Sequence, residues 1–85
     1  MATLVKVGRM NDIQVQNWLR KVGQANAARL AVAMLGADED IQKLIYKNMS
    51  PRAGGLLREN FDKNRGLSID EKTITASGKD LEKLI

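Results

Sequence analysis

Gly36–Phe61, GADEDIQKLIYKNMSPRAGGLLRENF, contains two amphipathic helices and the joint between them, Asn48-Met49-Ser50-Pro51-Arg52. Gly36 closes the segment before it, and Asp38-Glu39-Asp40 puts acids at a helix start, where the macrodipole favours negative charge. Ile41, Leu44, Ile45 and Met49 form one core stripe, with Lys43 and Lys47 toward the carboxyl end, where cations are favoured. Ser50 then offers an N-cap oxygen, and Pro51 at the first helical position loses only an amide that would have lacked a partner. Projected at about 100° per residue, the second helix places Ala53, Leu56, Leu57 and Phe61 on one side and Arg52, Glu59 and Lys63 in a narrow band on another. Gly54 and Gly55 each cost about 1 kcal/mol relative to alanine inside a helix, so either another backbone comes close there or the helix is deliberately soft, and close packing is the preferred reading.

Working outward, Asn11 and Gln14 have the spacing of a capping box, and Val15, Trp18, Leu19 and Val22 follow on one apolar face, ended by Gly23. Trp18 at that spacing is read as a core residue that anchors this helix. Residues from about Asn26 to Leu35 are apolar nearly all round, which predicts a central, buried helix whose alanines let neighbours approach. Downstream, Gly66 stops the helix begun at Pro51, and Ser68 with Glu71 matches a capping box for a last helix carrying Ile69, Ile74, Leu81 and Ile85. Gly78 interrupts that pattern, which fits a helix with a break or a short helix followed by a turn and a frayed end. The first ten residues, MATLVKVGRM, alternate weakly and fit a short extended arm, a frayed lead-in or the end of a longer helix. The reading is therefore all-α, with about five short helices: residues 1–10 as an N-terminal arm or lead-in and residues 11–85 as one compact helical domain.

At 85 residues only one domain fits. The 44% hydrophobic and 28% charged content is that of a folded, water-exposed protein rather than a disordered one. No apolar run approaches the roughly 20 residues of a membrane span, and the first residues carry no signal-peptide pattern, so a cytoplasmic location is expected. The absence of cysteine and histidine removes disulfides, thiolate nucleophiles, imidazole bases and ordinary zinc sites. No cofactor or metal and no enzymatic activity are expected. A net charge of +4 would suit nucleic acid, but its cations are interspersed with acids as on a solvated surface.

Two acidic segments invite a metal reading. Asp62 to Asp70 has oxygen ligands at alternate positions, as a calcium loop does, but Leu67 stands where the sixth-position glycine belongs and Thr73 where the twelfth-position glutamate belongs. Asp38-Glu39-Asp40 points three ways around a helix, with no histidine to converge on it, and is read as helix capping.

Val15-Gln16-x-Trp18-Leu19-Arg20-Lys21-Val22, Leu30-Ala31-Val32-Ala33-Met34-Leu35-Gly36-Ala37, Lys47-Asn48-Met49-Ser50-Pro51-Arg52-Ala53 and Leu56-Leu57-Arg58-Glu59 occur in that order. Together they resemble the C-terminal domain family of the flagellar motor switch protein FliG. The N-M-S-x-R-A element after a G-A-x-[DE]-[DE] helix start is the most specific part. The likeness implies an armadillo-like helical array in which the helix from Ser50 to Asn64 faces the stator's cytoplasmic loop with alternating charges. It also implies a place at the cytoplasmic face of the flagellar basal body, and other switch proteins as further partners.

Arg52 matches the family's arginine after N-M-S, and Glu59 the first acid of its L-[RK]-[DE]-[DE] element. Arg52, Glu59, Lys63, Arg58 and Asp62 are therefore the expected partner-binding residues, with Glu59 and Lys63 spaced as an i,i+4 pair. Three charges of the pattern are missing: Leu35, Asn60 and Ser68 stand in their places. A few extra residues separate the first two helices. The chain is far shorter than full-length family members, as an excised domain or a stand-alone relative would be. The alternative reading is a small basic helical adaptor that binds nucleic acid and has no motility role.

Overall fold

The computed structural model describes residues 2–85. Five α-helices follow one another: α1 Asp12–Val22, α2 Ala27–Met34, α3 Glu39–Lys47, α4 Pro51–Arg65 and α5 Glu71–Glu82. Short 3-10 turns lie at Val7–Arg9 and Gln24–Asn26. The described chain is all-helical and measures 33 × 24 × 23 Å.

Each start has a local cause. At α1 both bonds of the capping box form: Gln14 N–H donates to Asn11 Oδ1 and Asn11 N–H to Gln14 Oε1, each at 2.9 Å. Gly23 ends α1 at φ 60°, a conformation that side chains disfavour. Gln24–Asn26 follow as a 3-10 turn, and Asn26 Nδ2 donates back to Val22 O (2.9 Å). At α3 Asp38 occupies the N-cap position but its carboxylate accepts no cap bond; Glu39 and Asp40 still lie in the first turn. At α4 Ser50 Oγ accepts from Ala53 N–H (3.2 Å) with Pro51 at the first position.

The helix α2 is the hub. Leu30, Ala31, Ala33 and Met34 are buried, and the small side chains allow α4 and α5 to pack on it. Val15, Trp18 and Val22 of α1, Ile41 and Ile45 of α3, Leu57 and Phe61 of α4, and Leu81 of α5 complete the core. Trp18 is 2% exposed, and its indole Nε1–H donates to Leu81 O at 2.9 Å. Gln42, unremarkable by sequence, donates to Met34 O (3.1 Å) and Ala37 O (3.0 Å), tying α3 to the end of α2 and to the loop that follows it.

The lead-in carries no strand over its described residues and packs closely. Leu4 and Val7 are fully buried, Thr3 N–H donates to Gly36 O (3.0 Å), and the Thr3 hydroxyl donates to Ala33 O. Lys6 N–H reaches Glu82 Oε2 at 3.1 Å. Leu4 takes φ 58°, which costs a bulky residue conformational energy and is sustained by complete burial.

Two expectations about the last helix are corrected. Its cap is Asp70, whose Oδ1 accepts from Thr73 N–H at 2.8 Å, while Ser68 stays in the loop before it. A carboxylate at a helix N-terminus is the stronger acceptor and complements the macrodipole, so the later start wins. Ile69 therefore precedes α5 and Ile85 follows it, leaving Ile74 and Leu81 as its buried apolar residues. Gly78 does not break the helix. It is buried, and a Cβ built there would stand 2.9 Å from Thr3 Cβ.

Asp12 joins α1 to the α3–α4 junction. It accepts from Asn48 Nδ2 (3.1 Å) and Lys47 Nζ (3.2 Å), and Gln16 Nε2 donates to Asn48 Oδ1 (3.0 Å). Hydrogen bonds from Asn48 and then Lys47 hold the Asp12 carboxyl below the usual aspartate range, and the Thr73 amide does the same for Asp70. With folded values below the unfolded value of about 3.9, this stability is complete above the unfolded value and is lost as pH falls through the folded ones. The melting temperature is thus expected to hold down to about pH 5 and to drop below about pH 4. Replacing both by asparagine should shallow that drop; an unchanged acid limb would show that other groups set it.

Candidate functional site

Helix α4 turns Leu57 and Phe61 inward, and its remaining surface divides into two charged strips. Arg52, Glu59 and Lys63 are separated by about two and three turns, so all three exposed side chains point the same way. Glu59 and Lys63 make no ion pair, contrary to the spacing; a solvated pair of long side chains gains too little to hold one geometry. Arg58 and Asp62 lie on the adjoining strip, where Arg58 Nε stands 3.6 Å from Asp62 Oδ1 with the side chains 62% and 55% exposed. The Arg58 guanidinium also lies over the Tyr46 ring, 5.9 Å from its centroid. The five expected partner-binding residues therefore separate into an outward ridge with free charges and a lateral pair already engaged with each other.

Two further expectations for α4 are corrected. Leu56 is 53% exposed rather than buried with Leu57. The projection already held this signal: Leu56 lies only about 40° from Arg52 and about 100° from Leu57, so it falls within the ridge. The close approach of a backbone at Gly54 and Gly55 does not occur either. A Cβ at Gly54 would meet Met49 and Tyr46 at 3.9 Å, and one at Gly55 would meet nothing within 4 Å. These glycines soften α4 without a packing return from this chain. Gly55→Ala is accordingly expected to stabilise the fold by about 1 kcal/mol, raising the melting temperature by roughly 4–8 °C. A lowered value would mean that Gly55 is needed for a contact within the fold.

Two concavities flank α4. One, of about 440 Å³, opens between the end of α1 and the first half of α4 and is mainly apolar; Leu19, Val22, Leu30, Met49, Leu56 and Leu57 line it, with Gln16, Arg20 and Asn60 at its edges. The other, also about 440 Å³, lies between α3 and α4 and is bordered by Lys43, Tyr46, Arg58, Phe61 and Arg65. The Tyr46 hydroxyl is buried without a hydrogen-bond partner among the described residues, and burial raises the phenol above its usual range. Neither concavity is legible in the sequence: the first is bounded by helices distant in the chain, and the second depends on how the consecutive helices α3 and α4 pack on each other.

Of the three positions at which the resemblance implies further charges, Leu35 is half-buried at the end of α2, Asn60 edges the apolar groove, and Ser68 lies exposed in the α4–α5 loop. The calcium-like stretch has no loop geometry: Asp62 is inside α4 beside Arg58, and the Asp70 carboxylate caps α5. Among the described residues no group of three or more acids is placed to hold one metal ion. No described helix is long and apolar enough to cross a membrane.

The family model described as FliG C-terminal domain matches residues 1–77 of the chain. No curated protein and no solved structure shows significant similarity to it.

Proposed function

We propose, from the premise that this chain belongs to the FliG C-terminal domain family, that it acts without catalysis as a rotor-type interaction module whose α4 ridge meets the stator's cytoplasmic loop. The observation that carries this reading is the division of charge on α4. Arg52, Glu59 and Lys63 are exposed, share one face and have no ion-pair partner among the described residues, whereas Arg58 and Asp62 are paired beside them. Charges spent within the fold contribute little to a partner; free ones of both signs supply orientation and a fast encounter. Contacts that form and break repeatedly are better made from exposed pairs, individually weak and quick to release, than from buried ones. Arg58 and Asp62 border the contact. The domain works at the cytoplasmic face of the basal body, where other switch proteins provide its anchorage.

The test is charge reversal. Arg52→Glu and Glu59→Lys should each weaken binding to a stator loop, and reversal of the opposing charge on the loop should restore it. Both substitutions lie on exposed positions and should leave the fold intact. If neither alters binding, the ridge is ordinary solvated surface and the reading falls.

A further inference from the structure

We propose that the apolar groove between α1 and α4 receives apolar side chains from an acid-flanked amphipathic helix of the protein partner, with Leu56 as the hinge between groove and ridge. This rests on the ridge reading and adds an apolar anchor to it. Leu56 is the residue common to both surfaces: it lines the groove, and on the helix it sits one turn from Arg52 and from Glu59 and two turns from Lys63. Half-exposed, Leu56 is contiguous with the apolar residues that line the concavity and so belongs to one apolar surface rather than standing alone.

The need for such an anchor follows from the charges. Exposed ion pairs contribute little each, and Leu35, Asn60 and Ser68 leave this chain with fewer charges than the pattern it resembles. Binding strength in interfaces concentrates where an apolar residue fills a pocket from which water is expelled, and surrounding charges set orientation and rate. The groove's volume of about 440 Å³ is enough for such insertion. Its walls run along helices, which suits a helical occupant presenting residues at i, i+3 or i+4, and i+7.

The charge at the rim selects the occupant. Arg20 lines the groove and no carboxylate does; Arg52 and Glu59 adjoin the lining residues Ala53 and Asn60, and the Asp12 carboxylate on Asn48 is already paired with Lys47, so an apolar helix flanked mainly by carboxylates is complementary. A second copy of the chain fits poorly. Its exposed apolar residues Val5, Leu67 and Ile85 each lie within two residues of a lysine or arginine, and beside Ile13 the Asp12 carboxylate is engaged by Lys47 and Asn48.

The test uses the whole chain with two designed helical peptides that share a leucine stripe, one flanked by glutamates and one by lysines, alongside the stator loop. The glutamate peptide should bind and shift backbone amide resonances at Leu19, Met49, Leu56 and Leu57, while the lysine peptide should not. Leu56→Ser should weaken binding of both the glutamate peptide and the loop roughly tenfold or more, with an unchanged melting temperature. The proposal is overturned if the lysine peptide binds equally, if shifts fall elsewhere, or if the free chain self-associates through Leu56. If charge reversal at Arg52 and Glu59 weakens loop binding and Leu56→Ser does not, the groove proposal fails and the ridge stands. If Leu56→Ser alone weakens it, the ridge fails.

Discussion

Trp18→Ala is expected to cost about 3–5 kcal/mol, enough to leave much of the chain unfolded at physiological temperature. Trp18 is the largest side chain in the core, and its removal leaves a hole bordered by helices that are fixed elsewhere and can collapse only in part. The substitution also removes the indole N–H bond to Leu81 O (2.9 Å), leaving that carbonyl with only its backbone partner Leu84 N–H. An 85-residue domain of ordinary stability, on the order of 5–10 kcal/mol, has little margin against such a loss. Trp18→Phe separates the two causes, since it keeps most of the ring but cannot donate, and its cost should be smaller, about 1–2 kcal/mol. Urea unfolding followed by far-ultraviolet circular dichroism reads both variants without relying on tryptophan emission. A midpoint for Trp18→Ala close to that of the parent chain would contradict the placement of Trp18 as the joint between α1 and α5.

The elements that depend on neighbouring residues were the most legible in the sequence. The Asn11–Gln14 box, the Ser50–Pro51 start and the apolar face of α1 are local devices, and each acts at its expected residue. The central position of α2 was legible too, because a helix rich in alanine and apolar almost all round has no stable place except between others. What escaped reading depends on contacts between distant residues. Leu4 and Val7 are buried by α2, α3 and α5 around them, although their own segment shows no strong period. At α5 the cap read at Ser68 lies two residues too early, because the Asp70 carboxylate takes the Thr73 amide. At the candidate site the charges of α4 were legible as a set, but not their division: Arg58 and Asp62 are withdrawn from the ridge by each other and by Tyr46, a residue of another helix.

Glycines give the sharpest contrast, because the residue alone does not say whether its missing side chain is used. A pair of glycines in α4 suggested close packing, and a single one in α5 suggested a break; the structure assigns the close packing to the single one. Gly78→Leu should therefore destabilise the chain by about 3 kcal/mol or more, whereas Gly55→Ala stabilises it. At Gly78 even a Cβ would lie 2.9 Å from Thr3 Cβ and 3.1 Å from Thr3 Cγ2, closer than carbon atoms tolerate. Thr3 cannot swing aside cheaply, since its amide is held by Gly36 O and its hydroxyl by Ala33 O. For Gly78→Ala the gain in helix propensity, about 1 kcal/mol, opposes an overpacking cost of about 1–3 kcal/mol, so a net loss of about 1 kcal/mol is expected. Removing the obstructing carbon with Thr3→Gly should recover much of that loss, and a double-mutant cycle should show a favourable coupling of about 1 kcal/mol or more between the two positions. If Gly78→Ala raises the melting temperature as Gly55→Ala does, the lead-in is not pressed against α5 as described. A coupling near zero would locate the strain of Gly78→Ala away from Thr3.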